Sequence, residues 1–304
     1  MSKQHLILFT LALASSAFAD YSPIREQIDP GWKARIEPIA AEAATQVKAH
    51  NRRLLVFYRT EGFCHRASII AGNEAFRIAA KAGAWQVDFA DEYDALRDEN
   101  LRRYDALVLF NTTNLRVEQH PFVAHAIVDF VKFGRGLAVI HAGNDGFSES
   151  PEILYMIGGR FAGHPWGAGG TWDFRNEDPS SPLNAMFPGE KFTNMDEIYL
   201  QRSPYFSRCA EHVLVSLDLG AEKTGGALAR SRDMRRPDGF YPVSWVRRYG
   251  RGRVFYTSFG HDERTWFIPM SVKHIFAGVF YALREIDAND SPSDPEMLPP
   301  PSDR

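Results

Sequence analysis

The chain of 304 residues contains only two cysteines, Cys64 and Cys209. A small fold that depends on a framework of disulfides is therefore excluded, because such a framework needs several cysteine pairs. Two alternatives stay open for this pair: one disulfide bridge, or two separate and mostly buried thiols. The chain also has no excess of basic residues, since its formal net charge is −3. This charge argues against nucleic acid and against an anionic membrane surface as the main partner.

Long apolar runs are missing too, apart from a short one near the amino terminus. Residues 6–14 (LILFTLALA) are mostly apolar, but a transmembrane helix needs about 18 or more such residues. The run follows Lys3 and precedes residues 17–19 (AFA), the small-x-small pattern that signal peptidases cut. We therefore interpret residues 1–19 as a signal peptide that is cleaved after Ala19. The mature chain is expected to be periplasmic or secreted and to contain no membrane span.

A glycine-rich nucleotide fingerprint is also absent. Residues 249–253 (YGRGR) precede an apolar run that is typical of a strand, so no helix N-terminus follows to bind a phosphate. We interpret this stretch as the turn of a β-hairpin, and residues 167–170 (GAGG) as a flexible turn. The sequence therefore predicts no nucleotide cofactor.

What the chain does contain is a series of apolar runs separated by amphipathic stretches. The apolar runs lie at residues 54–58, 85–89, 106–110 and 137–140, and helical spacing is found at residues 67–82 and 117–133. Apolar strands without polar alternation, joined by helices, indicate a parallel sheet that is buried on both faces. We therefore predict an α/β fold with a doubly wound, mainly parallel sheet, completed by a strand at 253–257 and a helix at 268–286.

The chain is predicted to form a single domain, residues 51–286, with additions at both ends. Residues 20–50 are interpreted as an N-terminal extension. Within the domain, residues 143–240 carry several glycine and proline breaks, so we interpret them as a loop-rich insertion that shapes a pocket. Residues 287–304 are acidic and rich in proline, a composition that predicts a disordered tail.

Four histidines lie where predicted strands end or in loops beyond them. His65 follows the first strand, His141 directly follows the fourth, and His261 follows the last. His164 lies within a Gly-His-Pro-Trp sequence in the predicted insertion. Because parallel strands end at the same edge of a sheet, we expect the first three to point into one crevice.

Seven short motifs, taken in chain order, resemble the ThuA-like (trehalose-utilisation) family. They are residues 63–65 (FCH), 111–113 (NTT), 136–141 (GLAVIH), 164–165 (HP), 196–199 (DEIY), 242–245 (PVSW) and 249–256 (YGRGRVFY), the last leading to 260–262 (GHD). The resemblance covers about residues 51–286. It implies a fold similar to the class I glutamine amidotransferases, which is flavodoxin-like, and a link to the metabolism of trehalose or related disaccharides.

The implied fold allows a test against glutaminase chemistry. Glutaminases of that class place a nucleophilic cysteine at a tight turn between a strand and a helix, with a His-x-Glu pair after a later strand. In this chain His141 stands where the cysteine would be, whereas His261 and Glu263 keep the His-x-Glu spacing. An imidazole forms no acyl intermediate as stable as a thioester, and Cys64 lies on another loop. Glutamine hydrolysis is therefore not expected.

The histidines indicate a different kind of centre. Neutral imidazole is the commonest metal ligand in proteins, and imidazoles with a carboxylate suit zinc or another divalent ion. Metal-free acid–base chemistry and simple hydrogen bonding to a sugar are the open alternatives. The catalytic candidates are His65, His141, His261 and Glu263. The candidate metal ligands are His65, His141, His164 and His261.

Aromatic residues near the same loops favour a small-molecule carbohydrate as the partner. An aromatic ring packs against the C–H face of a sugar while polar groups bind the hydroxyls. Burial in the core is an equally good interpretation of Trp245. The predicted substrate-binding residues are Phe63, Asn111, Trp166, Glu197, Tyr199 and Trp245.

These patterns lead to a functional expectation and a rival. We expect an exported enzyme of carbohydrate metabolism that acts by hydrolysis or elimination on a disaccharide, a glycoside or an oxidised sugar derivative. The rival is a non-catalytic sugar-binding or scaffolding protein on an amidotransferase-like fold. Formation of a product from a bound sugar distinguishes the two.

Overall fold

The structure is a computed structural model that describes residues 23–48, 51–231 and 234–297. The predicted signal peptide, residues 1–19, therefore lies outside the described residues. Among the residues that are described, no helix is both long enough and apolar enough to cross a membrane.

Nine strands and seven α-helices are found in the described part of the chain. The strands are β1 Arg53–Phe57, β2 Gln86–Ala90, β3 Ala106–Phe110, β4 Gly136–Ile140, β5 Thr171–Asn176, β6 Lys191–Met195, β7 His212–Leu217, β8 Pro242–Tyr249 and β9 Gly252–Thr257. The helices are α1 Pro30–Ala44, α2 Arg66–Lys81, α3 Asp98–Leu101, α4 Phe122–Lys132, α5 Pro151–Ile157, α6 Glu222–Arg230 and α7 Pro269–Ala282.

The elements predicted from apolar runs are observed with small shifts at their ends. The largest shift is at α4, which begins at Phe122 rather than at residue 117. Pro121 precedes its first residue, and a proline is tolerated at the start of a helix but not inside it. The predicted hairpin turn is also observed, because β8 ends at Tyr249 and pairs antiparallel with β9 from Gly252.

All nine strands lie in one sheet, in the order β2-β1-β3-β4-β9-β8-β7-β5-β6. The first five strands in that order are parallel, whereas β8, β7, β5 and β6 pair antiparallel. The predicted mainly parallel sheet therefore describes one half of a mixed sheet. The difference arises in residues 143–240, which contribute β5, β6 and β7. In β5 and β6 buried residues alternate with exposed ones, a pattern typical of antiparallel strands with one solvated face.

The parallel strands are buried on both faces, as their apolar runs predict. Along β3, Ala106, Val108 and Phe110 join a core that includes residues of α1, α2 and α7. Leu107 and Leu109 point the other way, into a second core with residues of α4 and α5. Complete burial of such a side chain contributes about 1.5–3 kcal/mol. Packing on both faces therefore holds the parallel strands in register, so that their carboxyl ends lie along one edge of the sheet.

Both terminal additions pack against the domain where the structure describes them. Helix α1 buries Ile36, Ala40 and Ala43 and packs against α2 and α7, so the extension belongs to the core. Residues 287–297 of the predicted tail also contact the domain. The Oδ2 of Asp290 accepts a hydrogen bond from Tyr281, because the acidic composition of the tail complements the polar groups beside it.

Candidate functional site

Four residues from distant parts of the chain meet at the carboxyl ends of the parallel strands. His65 immediately precedes α2 in the connection from β1, and His141 directly follows β4. His261 lies four residues after the end of β9. Glu197 lies in the segment that follows β6. One potential ligand atom from each of the four residues lies within 4.8 Å of the other three.

The donor atoms of this His–Glu cluster are in close contact. Nδ1 of His261 lies 3.3 Å from Nε2 of His141 and 3.2 Å from Oε1 of Glu197. The distance from Nε2 of His141 to the same oxygen is 3.8 Å. The three imidazole planes are nearly perpendicular to one another, at 77° to 89°. The predicted convergence of His65, His141 and His261 is therefore observed.

His141 is held by a tight turn and by its second ring nitrogen. Its φ is 51°, in the left-handed region that residues other than glycine rarely adopt. Nδ1 donates a hydrogen bond of 2.6 Å to the carbonyl oxygen of Ser258. Because the hydrogen is on Nδ1, Nε2 keeps its lone pair and directs it toward the cluster. Burial, reinforced by the neighbouring imidazoles, holds the pKa of His141 well below its ordinary value.

His65 is also a buried, neutral imidazole. Burial lowers its pKa to about 3, and the nearby His261 and His164 add to the effect. Its Nε2 lies 3.4 Å from the hydroxyl oxygen of Tyr199. Its Nδ1 is buried and has no hydrogen-bond partner among the described residues. An unpaired buried nitrogen is costly, and this one lies in a ring that contacts the rings of His141 and His261.

Glu197 connects the buried imidazoles to the surface. One carboxylate oxygen faces His261, and the other lies 3.3 Å from Nδ1 of His164. The side chain of His164 is 52% exposed, whereas that of Glu197 is buried. Burial lowers the pKa of His261, but its hydrogen bond to Glu197 and the charge of that carboxylate outweigh the burial, so the pKa is raised.

A second carboxylate, Asp196, holds the loop that carries His261. It accepts hydrogen bonds from the backbone N–H of Gly260 at 2.9 Å and of His261 at 3.1 Å, and from the hydroxyl of Thr265 at 2.8 Å. Burial raises the pKa of Asp196 to about 6, although these donors oppose the shift. Asp196 therefore positions His261 rather than facing a ligand.

Asp145 is a feature that sequence reasoning missed. It ends the short 3₁₀ turn that begins at His141. Burial raises the pKa of its carboxyl to about 6, against the opposing charge of Arg160. The carboxylate forms no hydrogen bond with the described residues. The pKa of the nearby Tyr199 is raised, mainly by burial and further by the charges of Glu197 and Asp145. Its position just after the fourth strand was the available signal, since ligands bind at such strand ends.

Two of the predicted substrate-binding aromatic residues border the cluster. Phe63 is 68% exposed, and its ring centroid lies 4.9 Å from that of His65 and 6.4 Å from that of His261. Tyr199 is buried, with its ring 4.2 Å from the ring of His141. Phe63 therefore presents an exposed apolar ring beside the cluster.

The two predicted tryptophans do not reach the cluster surface, which corrects their assignment to substrate binding. Trp166 is fully buried and donates a hydrogen bond to the carbonyl of Thr224. Trp245 is fully buried as well, and its indole nitrogen donates to the carbonyl of Ile157 at 2.8 Å. Core packing explains both residues, since each ring fills the interior and satisfies its one donor there.

Asn111 is placed within the framework of the site. Its Nδ2 donates to the carbonyl of Gly260 at 3.0 Å and to Ser68 at 3.1 Å. Its Oδ1 accepts from the backbone N–H of Ala142 at 3.3 Å. Asn111 therefore joins the loops that carry His141 and His261, and its polar atoms are already used within the protein.

Glu263 and the cysteines lie outside the cluster. Glu263 begins a 3₁₀ turn and is half-buried, while Glu197 supplies the carboxylate beside the imidazoles. His164 contacts Glu197 but is not one of the four residues that converge. Cys64 and Cys209 are free thiols, so the second of the two alternatives for this pair is observed.

The fold and the position of the site together indicate the class of protein. A parallel α/β half-sheet with its site at the carboxyl edge, and with a histidine at the strained turn after β4, is consistent with a glutamine amidotransferase-like fold. The family model described as ThuA, trehalose utilisation, matches residues 53–282. The chain therefore belongs to the ThuA family.

Solved structures agree with this assignment at the level of the fold. A ThuA-like protein from Bacteroides uniformis superposes with a TM-score of 0.61 and 16% identity, over 80% of this chain and 96% of that one. A ThuA-like protein from Parabacteroides merdae superposes with a TM-score of 0.56 and 16% identity, over 79% of this chain and 93% of that one. A search of curated proteins finds no significant match.

Proposed function

We propose that this ThuA-family protein is an exported enzyme that cleaves a bond in a disaccharide, a glycoside or an oxidised sugar derivative, by hydrolysis or elimination. The observation that carries the proposal is the convergence of three imidazoles and one carboxylate beneath an exposed aromatic ring. The family's link to trehalose utilisation supports a carbohydrate as the substrate. The sequence of residues 1–19 supports export.

The arrangement provides separate places for binding and for proton transfer. The face of Phe63 offers apolar surface to the C–H groups of a sugar ring. Below it lie the imidazole of His261 and the carboxylate of Glu197, which can together accept or release a proton. The chain of contacts from His261 through Glu197 to the half-exposed His164 gives that proton a path to solvent.

The test is turnover of a panel of sugars by the mature chain. The panel contains trehalose, other disaccharides, aryl glycosides and their keto and acid derivatives, with products identified by mass spectrometry. For any sugar that responds, replacing both His141 and His261 with alanine is expected to lower kcat by about 100-fold or more. His125→Ala is the control, because His125 is exposed on α4.

Two results contradict the proposal. Unchanged turnover in the double variant places the chemistry elsewhere on the protein. Saturable binding of a sugar by calorimetry, without product from any member of the panel, supports the non-catalytic binding protein instead.

A further inference from the structure

The donor atoms of the His–Glu cluster have the spacing of ligands around one small metal ion. His261 Nδ1, His141 Nε2 and Glu197 Oε1 form a triangle with sides of 3.3, 3.2 and 3.8 Å. Three atoms at these separations are each about 2.0 Å from one common point, which is the length of a zinc–nitrogen or zinc–oxygen bond.

We propose that this cluster binds a single divalent transition-metal ion of the zinc type, through one nitrogen each of His65, His141 and His261 and one oxygen of Glu197. The inference deepens the proposed function, on which it rests for the location of the centre, by assigning a cofactor to it. Glu197 therefore takes the place in the proposed ligand set that the sequence analysis gave to His164.

The fourth ligand, His65, comes from a buried and neutral ring. One of its nitrogens lies within 4.8 Å of the ligand atoms of the other three residues. Nδ1 has no hydrogen-bond partner among the described residues, and Nε2 has only a long contact of 3.4 Å with the hydroxyl of Tyr199. A neutral imidazole has one nitrogen lone pair that can bind a metal ion.

The other ligands are oriented in the way metal ligands are in known sites. A ligating histidine usually donates its second ring N–H to a carbonyl or carboxylate, and ligating carboxylates are hydrogen-bonded in turn. Here the second nitrogen of His141 is bonded to the carbonyl of Ser258. The second oxygen of Glu197 is in contact with His164. His164 therefore acts as an orienting residue outside the ligand set.

The donor set selects the class of ion. Three imidazole nitrogens and one carboxylate oxygen suit zinc and related transition metals, whereas calcium and magnesium prefer sites built from oxygen atoms. Such a donor set is typical of zinc and of cobalt(II). An ion bound here would polarise a sugar oxygen by accepting it as a further ligand, as catalytic zinc ions do when they become five-coordinate.

The first experiment uses the wild-type mature chain. The protein is purified, its metal content is measured by elemental analysis, and a chelator-treated sample is titrated with Co²⁺ and Zn²⁺. We expect one ion per chain and the visible absorption of Co²⁺ bound to histidine ligands. X-ray absorption of the Zn²⁺ form is expected to count three imidazoles. No binding in the micromolar range, or spectra without histidine ligands, overturns the proposal.

Variants test the ligand assignment with the same readout. His141→Ala and Glu197→Gln are expected to weaken Co²⁺ binding by at least about 100-fold, and His164→Ala by about 10-fold, as expected for an outer residue. The control His125→Ala is expected to bind as wild type does. Glu197→Gln keeps the shape of the side chain, and circular dichroism verifies that each variant is folded. Unchanged affinity in Glu197→Gln removes Glu197 from the ligand set and overturns the assignment.

The outcome is distinguishable from that of the turnover experiment. Stoichiometric metal binding without turnover of any sugar supports the metal site and contradicts the proposed enzyme. Turnover by a chain that binds no metal supports the enzyme and contradicts the metal site.

Discussion

The two halves of the sheet contribute differently to the site. The parallel half, β2-β1-β3-β4-β9, ends in the loops that carry His65, His141 and His261. The segment that contains β5 and β6 carries Glu197 and its neighbour Asp196. The imidazoles therefore come from the regular half of the fold, and the carboxylates come from the antiparallel half.

This comparison shows how a common fold acquires a particular chemistry. The parallel strands fix where their ends lie, because both faces of the sheet are packed. The added segment then supplies Glu197, whose two oxygens face a buried imidazole and an exposed one. The negative charge of the site therefore comes from the added segment and not from the parallel half of the sheet.

The largest effect is expected on stability, from Trp245 in the antiparallel half. Trp245→Ala removes a fully buried ring that stacks on Tyr256 at 4.1 Å, so it is expected to lower the free energy of unfolding by about 3–5 kcal/mol. Phe63→Ala, above the parallel half, should change it by less than about 0.5 kcal/mol and raise KM instead. Denaturant unfolding measures both. Equal losses of stability would show that Phe63 is a core residue.

The next effect is expected on catalysis, from the two candidate carboxylates. Glu197→Gln is expected to lower kcat for a responsive sugar by about 100-fold or more, because it removes the carboxylate of the His–Glu cluster, both as a proton acceptor and as a metal ligand. Glu263→Gln is the matched control and should leave kcat within about twofold, since Glu263 lies outside the cluster. A larger decrease in kcat for Glu263→Gln than for Glu197→Gln would instead support Glu263 as the catalytic carboxylate, as the His-x-Glu spacing predicts.

The smallest effect is expected from Asp145, whose pKa is raised to about 6 in the folded chain. Between about pH 4 and pH 6 the unfolded chain ionises at this residue while the folded chain keeps its proton, so stability is lost as the pH rises. Asp145→Asn abolishes this loss. Its Tm is therefore expected to exceed that of wild type by about 2–4 °C at pH 7.5, and to differ little at pH 4.

The control for this prediction is Glu149→Gln, which neutralises an exposed acid a few residues away. Its Tm difference from wild type should be small and independent of pH. Scanning calorimetry of the three proteins across this range provides the measurement. A lower Tm for Asp145→Asn at pH 7.5 would show that the carboxylate is satisfied in the folded chain.

The regular half of the fold was accessible from sequence because burial on both faces leaves a direct signal. Apolar runs such as Ala106–Phe110 mark strands, and the loops that follow the runs mark the carboxyl edge of the sheet. The three imidazoles were found in this way. The alternation of apolar and polar residues in β5 is a weaker signal of a strand than a continuous apolar run. It also lies among glycine and proline residues, so the segment was interpreted as loops.

The carboxylates and the tryptophans show where sequence reasoning fails. Glu197 was placed near the pocket as a sugar-binding residue, but nothing in its neighbours indicates that it contacts His141 and His261. Trp166 and Trp245 lie near glycine and proline residues that are typical of loops, yet both rings are buried in the interior. The direction of a side chain depends on tertiary packing, which local pattern does not encode.

Asn111 has a consequence for how this site can change. It joins the turn after β4 to the loop after β9 with two hydrogen bonds, and a third bonds it to Ser68 on α2, so the base of the site behaves as one rigid unit. Phe63 and His164 lie outside that unit, on exposed positions. Replacements at the entrance can therefore change which ligand fits the site while the three imidazoles keep their geometry.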